Sequence, residues 1–313
     1  MIIHKSIKVV SFVFAWVVFL LSLMWLLKAL FLGLYPDFQT QYYASKNVFE
    51  GGNPYLSGNN LFTPQVYPPI VLILYLPFTF LNFQVAQIVW NILNLAFLLI
   101  SIKLLSRILD NRFFSRLNLF LMSLVFISFP VKFSLGMGQI NMLVLMLLVI
   151  SYWFLKQKKE FASGIFLGAS LVIKLFPLLL PAYFIVDSCL RRNDRERWKF
   201  LLGLFLSLLI SVFLVLIFVP VKTFSQFITN VLPTFFTSWK LDYYNQSLAG
   251  FIGRSFGTGQ FANILKIIFS SIIVLITFFA VLKNKQNDFT ATSLKIGTLI
   301  TASLIINTFS WQH

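Results

Sequence analysis

Apolar side chains run in long unbroken blocks along this chain. Stretches long enough to cross about 30 Å of hydrocarbon as a helix occupy residues 9–34, 84–105, 117–135, 139–155, 199–219, 261–282 and 290–310. Short basic turns and two longer polar connections, 35–66 and 220–260, separate them. The pattern predicts an all-α polytopic membrane protein, folded as a single transmembrane domain over 1–313.

Two apolar stretches do not fit a simple count of spans. The run 69–82 (PPIVLILYLPFTFL) has only 14 residues. Reading it as a full span would put Arg107, Arg112 and Arg116 outside, against the positive-inside tendency. It is therefore expected as a juxtamembrane or re-entrant helix at the outer side, following an outer loop over 35–68. The run 162–188 holds Lys174 and Pro177 at its middle, and the basic segments 156–160 and 191–199 on either side both belong in the cytoplasm. That requires an even number of crossings, so two half-length helices hinged near Lys174 are expected. Each half is too short to reach the far face at 1.5 Å per residue, and an irregular hinge at depth is tolerated where it lines a cavity. The count comes to about nine membrane helices, two of them half-length. His4, Lys5 and Lys8 before the first run read as the start of an uncleaved signal anchor, with the N-terminus cytoplasmic.

Composition excludes a soluble or disordered chain. Of 313 residues, 58% are apolar and 11% charged, and the mean hydropathy is +0.86. The net charge of +16 suggests nucleic acid until the basic residues are placed. Seventeen of the 25 Lys and Arg fall in the cytoplasmic turns, so most of the charge sets orientation and calls for no nucleic acid. The outer side keeps Lys28, Lys46, Lys132, Lys174, Lys222, Lys240, Arg254 and Lys266 with three acids, Asp37, Glu50 and Asp242. The single cysteine, Cys189, has no partner for a disulfide, and there is no Cys/His metal spacing, Walker motif or outer Asp-x-Asp pair. Neither a metal nor a nucleotide cofactor is expected.

The candidate chemistry lies in the outer segments. Pro36 and Asp37 open a helix directly after the first span, and Phe38, Tyr42 and Phe49 form a stripe suited to lying on the membrane surface, edged by Asp37 and Gln41. Glu50 to Tyr55 (EGGNPY) ends that helix with glycine punctuation. Gly136-Met137-Gly138-Gln139-Ile140-Asn141 interrupts an apolar run at an outer turn. Lys174 is costly in hydrocarbon and is normally retained for a partner or a wet site. Asn245-Gln246-Ser247 offers donors and acceptors suited to sugar hydroxyls, and Arg254 a planar fork for phosphate.

In order along the chain, these segments resemble glycosyltransferase family 87. The likeness rests on Asp37, Tyr42-Tyr43-Ala44, Gly51-Gly52-Asn53-Pro54-Tyr55, Tyr67-Pro68-Pro69, Gly138-Gln139-Ile140-Asn141, Lys174 with Phe176-Pro177, Asn245-Gln246-Ser247-Leu248 with Arg254, and Ser310-Trp311-Gln312-His313. Such enzymes are similar to the polyprenyl-phosphate-mannose-dependent mannosyltransferases of the GT-C type. The resemblance implies Asp37 as catalytic base, with Glu50 and Asp242 as reserve acids. It implies Arg254, Lys174 and His313 at the donor phosphate, and Tyr43, Asn53, Tyr55, Tyr67, Gln139, Asn141, Asn245 and Gln246 at sugar or acceptor. It further implies a plasma (inner) membrane location with an extracytoplasmic site, a lipid-linked sugar donor and a glycan or glycolipid acceptor. Relatives continue through several more helices after the Ser-Trp-Gln-His motif, so C-terminal helices are expected to be missing here. The alternative from another class is a lipid-linked sugar flippase or secondary transporter, for which repeated halves with matching broken helices would be expected.

Overall fold

The computed structural model describes residues 2–55, 65–190, 195–233, 245–284 and 289–307. It is an all-α membrane bundle. Among the described residues, four helices are long and apolar enough to cross a bilayer: Val9–Phe31 within α1 (Ile2–Phe31), α4 (Phe83–Ile108), Trp198–Phe218 within α10 (Arg195–Phe218), and α13 (Gln260–Lys283). A fifth is the bent pair α5 (Arg116–Ile127) and α6 (Phe129–Gly136). Shorter apolar helices complete the bundle: α7 (Asn141–Lys156), α8 (Glu160–Ile173), α9 (Leu179–Leu190) and α14 (Phe289–Ile306).

Three expectations meet the structure at this level. The stretch 69–82 forms α3 (Pro69–Tyr75) and a 3-10 turn, Leu76–Phe80. At 1.5 to 2 Å per residue neither reaches across hydrocarbon. The stretch 162–188 breaks as its polar centre requires: α8 ends at Ile173, Lys174 is extended, and α9 begins at Leu179 after the turn Phe176–Leu178. The run 117–135, read as one span, is instead bent by 55° at Ser128. Pro130 has no N–H to continue the α5 ladder and its ring clashes with the carbonyl four residues back, so the helix restarts with Pro130 in its first turn and Ser128 takes an extended conformation as the cap between the two pieces.

The tightest pairing is α8 on α10. Gly164 and Gly168 on one helix face Gly203 and Ser207 on the other, and a Cβ on Gly164 would run into the Phe200 carbonyl. Small residues at i and i+4 let two backbones approach where lipid gives no hydrophobic drive between helices. This rigid pair carries the hinge that holds Lys174.

The helix after the first span, α2 (Pro36–Phe49), departs from expectation. Phe38 and Tyr42 do not lie on the membrane surface. They are buried, at 0% and 4% exposure, in an aromatic cluster with Tyr75, Phe78, Phe83 and Trp90, and Trp90 stacks on Phe38 at 6.0 Å. The apolar stripe was legible, but its partner is α3 and α4 rather than lipid. Phe49 alone of the three stays exposed.

Candidate active site

The site is built at the corner between α1 and α2. Tyr35 adopts a left-handed conformation, φ 51°, and Pro36 then starts α2 with the φ a first helical turn needs. The corner is stitched to the turn between α6 and α7: Tyr35 N–H donates to the Gly136 carbonyl at 3.0 Å and Asp37 N–H to the Met137 carbonyl at 3.1 Å. Close approach explains the glycines there. A Cβ on Gly33 would collide with the Gly136 carbonyl, and one on Gly138, itself at φ +69°, would sit 2.7 Å from Phe38 Cβ. Trp90 Nε1 closes the turn from α4 by donating to the Gly138 carbonyl at 2.8 Å.

That stitching aligns four polar side chains in a relay. Gln139 Nε2 donates to Asp37 Oδ2 at 2.6 Å. Asn141 Nδ2 donates to Gln139 Oε1 at 2.6 Å and to Ser134 Oγ at 3.0 Å. Lys174 Nζ donates to Asn141 Oδ1 at 2.7 Å, and lies 6.0 Å from the centre of the Tyr67 ring. A carboxyl and an ammonium are thus held at opposite ends of two amides that point their dipoles the same way. They feel each other without pairing, so both keep capacity for a ligand. Burial pushes the Asp37 carboxyl above the usual carboxylate range, while the Gln139 hydrogen bond and the Lys174 charge pull it back down.

The Lys174 end of the relay opens into a cavity of about 450 Å³. Ser134, Asn141, Lys174 and Asn307, with Ser151, Tyr152 and Ser163, supply its polar lining, and Leu145, Leu148, Val149, Leu167, Leu180 and Ile300 are among its apolar walls. Its lining follows α7 from Asn141 to Leu155, roughly 20 Å at 1.5 Å per residue. The arrangement is an anion-attracting mouth on a long apolar slot, next to a carboxyl in the first polar corner of the fold.

Other residues singled out from sequence take different places. Asn53 and Tyr55 tie together the connection between α2 and α3: Asn53 Oδ1 accepts from Tyr55 N–H at 3.0 Å, and Tyr55 hydroxyl donates to the Tyr67 carbonyl at 3.2 Å. Tyr43 stacks on Phe83 at 5.7 Å. Glu50 is exposed and faces Lys46 at 3.9 Å. Asn245 is fully buried and accepts from Ser247 N–H at 3.1 Å, Ser247 caps α12 (Leu248–Phe256) by accepting from Gly250 N–H at 3.1 Å, and Arg254 Nη1 donates to the Asn245 carbonyl at 2.7 Å. Gln246, between them, is exposed. Asp242 and His313 lie outside the described residues.

Sequence reasoning missed several contributors. Ser134 and Trp90 read as ordinary members of apolar helices, yet they fix Asn141 and the Gly138 turn. Gln41 and Gln65 exchange two amide hydrogen bonds, 2.8 and 2.7 Å, that clamp α2 to the segment before α3. Tyr75 is fully buried among Phe38, Phe78 and Trp90, with no hydrogen-bond partner for its hydroxyl, and it lies within electrostatic reach of Asp37 and Tyr67. Only the Gln41 position carried a sequence signal, as the polar edge beside Asp37.

Among known proteins, the profile described as Glycosyltransferase family 87 matches residues 66–306. An alpha-(1->3)-arabinofuranosyltransferase of Corynebacterium glutamicum is 22% identical over 285 residues, which cover 88% of this chain and 64% of the relative. A polyprenol-phosphate-mannose-dependent alpha-(1-2)-phosphatidylinositol mannoside mannosyltransferase of Mycobacterium tuberculosis is 27% identical over 164 residues, covering 46% of this chain and 37% of the relative. The chain therefore spans less than two thirds of the length of these curated relatives. No solved structure matches it. The family match takes in Tyr67, Gln139, Asn141, Lys174, Asn245 and Arg254, and begins after Asp37.

Proposed function

The chain belongs to glycosyltransferase family 87, and from that premise we propose that it moves a hexose, with mannose as the sugar, from a polyprenyl-phosphate donor to an acceptor hydroxyl at the extracytoplasmic face of the plasma membrane. The observation that carries this reading is the relay from Asp37 through Gln139 and Asn141 to Lys174 at the mouth of the apolar cavity. A polyprenyl chain fits a long slot walled by Leu, Ile and Val, and its phosphate meets the one ammonium that the relay presents there. The acceptor is a glycan or glycolipid.

In this mechanism the acceptor oxygen attacks the anomeric carbon as Asp37 takes the hydroxyl proton. The bond from that carbon to the phosphate oxygen breaks, and the electron pair leaves with the phosphate, whose charge Lys174 stabilises. A phosphate departs without being protonated. The second carboxylic acid that glycoside hydrolysis needs for an alkoxide leaving group is therefore dispensable, and one base suffices. In-line attack inverts the anomeric carbon. The raised Asp37 pKa suits a base, since a more basic carboxylate holds the proton better in the transition state. Arg254, which donates to the Asn245 carbonyl, carries the planar guanidinium fork that suits a phosphate, and we assign it, with His313, to the donor phosphate by residue type.

The test is transfer from radiolabelled polyprenyl-phosphate mannose to endogenous acceptor lipids in proteoliposomes containing the chain. Labelled product with inverted configuration is expected. Label that crosses the bilayer while still on its carrier, with no product formed, would make the protein a translocator instead.

A further inference from the structure

On the face of α6 turned away from the cavity lies a feature that sugar transfer does not use. The 55° bend at Ser128 lays α6 beside the last turns of α1, where Trp25 is 49% exposed. Two ammonium groups converge on that indole. Lys132 Nζ lies 4.3 Å from the ring centre and Lys28 Nζ 5.7 Å from it, which leaves at most about 10 Å between the two cations. Among the described residues neither lies in an ion pair with a carboxylate: Glu50 pairs with Lys46, Asp110 with Lys156, and Asp37 is engaged by Gln139.

Two like charges held near each other without a counter-ion repel, and the indole face offsets only part of this. Their surroundings are lipid-facing. Met24, Phe31 and Phe129 beside them are all exposed large apolar side chains. Lys28 stands one turn before the end of α1 and Lys132 one turn before the end of α6, the depth at which long basic side chains reach headgroups and tryptophan sits at the interface. Two cations, an aromatic plate and an apolar rim suit a phosphodiester with acyl chains beside it.

We propose that Lys28, Lys132 and Trp25 form a binding site for the phosphate of an anionic phospholipid in the leaflet at the Asp37 end of the bundle. The opposite face of α6 contributes Pro130, Val131 and Ser134 to the cavity wall. A lipid held on Lys132 therefore braces the helix whose Ser134 hydroxyl fixes Asn141. The site stands independently of the sugar reading.

Bromine-labelled acyl chains quench nearby tryptophan, which gives a direct test. The chain is reconstituted in vesicles of phosphatidylcholine with either brominated phosphatidylglycerol or the same fraction of brominated phosphatidylcholine, and the Trp25 signal is isolated by subtracting the Trp25→Phe variant. Two lysines at about 1 kcal/mol each for an anionic lipid correspond to enrichment of about 30-fold, read as stronger quenching by phosphatidylglycerol. The preference should vanish in Lys28→Gln/Lys132→Gln, survive in Lys28→Arg/Lys132→Arg, and survive in Lys222→Gln, a basic residue elsewhere. Equal quenching by both lipids in the unmodified chain would overturn the proposal. So would a preference that persists in the double Gln variant, or displacement of brominated phosphatidylglycerol by polyprenyl phosphate more readily than by unlabelled phosphatidylglycerol.

Discussion

The connections that follow α1 and α10 contain similar polar residues and fold them in opposite ways. In the first, Asp37 sits at a backbone corner sewn to the Gly136–Gly138 turn, and its side chain reaches across the fold to a relay ending on a distant helix break. In the second, Asn245, Ser247 and Arg254 bond to each other and to their own backbone, giving a capped helix start. The contrast shows what turns polar composition into a site. Side chains gather into one when backbone contacts from different elements force them together, and they become local capping when a helix start lies within reach.

Four substitutions probe that contrast, in decreasing order of effect. Asp37→Asn should lower the transfer rate by about 10²- to 10⁴-fold, the usual contribution of a general base, with the donor still bound. Lys174→Met should cost about 10²- to 10³-fold in kcat, as loss of a group aimed at developing charge does. A change confined to KM would instead make Lys174 a ground-state binder. Gly138→Ala forces a side chain into a left-handed position against Phe38. It should cost about 1 to 3 kcal/mol in stability, measured by denaturant unfolding in micelles, and should slow transfer by loosening the Gln139 turn. Ser247→Ala removes the α12 cap and should cost about 1 kcal/mol, with the pH dependence of transfer unchanged. If Ser247→Ala altered that pH dependence, the two loops would belong to one electrostatic unit and the contrast would fail.

Much of the architecture was legible before any coordinates. Blocks of apolar residues located the helices, and the lysine and proline inside 162–188 located the break, because lipid penalises polar groups and prolines in ways that sequence displays directly. The bend at Ser128 was missed, although Pro130 signalled it, since length alone made 117–135 look continuous. Asp37, Gln139, Asn141 and Lys174 were each singled out. Their joining was not readable, because the Asp37 corner and the Gln139 turn, some 100 residues apart in sequence, meet through backbone hydrogen bonds, and Lys174 reaches Asn141 from a third segment. The stripe of Phe38 and Tyr42 was seen and given the wrong partner. An apolar face reads the same whether it meets lipid or protein. Ser134, Trp90 and Tyr75 gave no signal, because a lone polar group in an apolar helix shows nothing of what it faces.

Coupling between Asp37 and Lys174 through two amides is the central claim, and the acid limb of the pH–rate profile tests it most directly. The base acts deprotonated, so activity falls as pH drops through the Asp37 pKa. Burial raises that pKa and the Lys174 charge lowers it, so removing the charge must raise it further. Lys174→Met should therefore shift the acid limb to higher pH, beyond any fall in the plateau rate. An acid limb that stays in place when Lys174 is replaced would contradict the account.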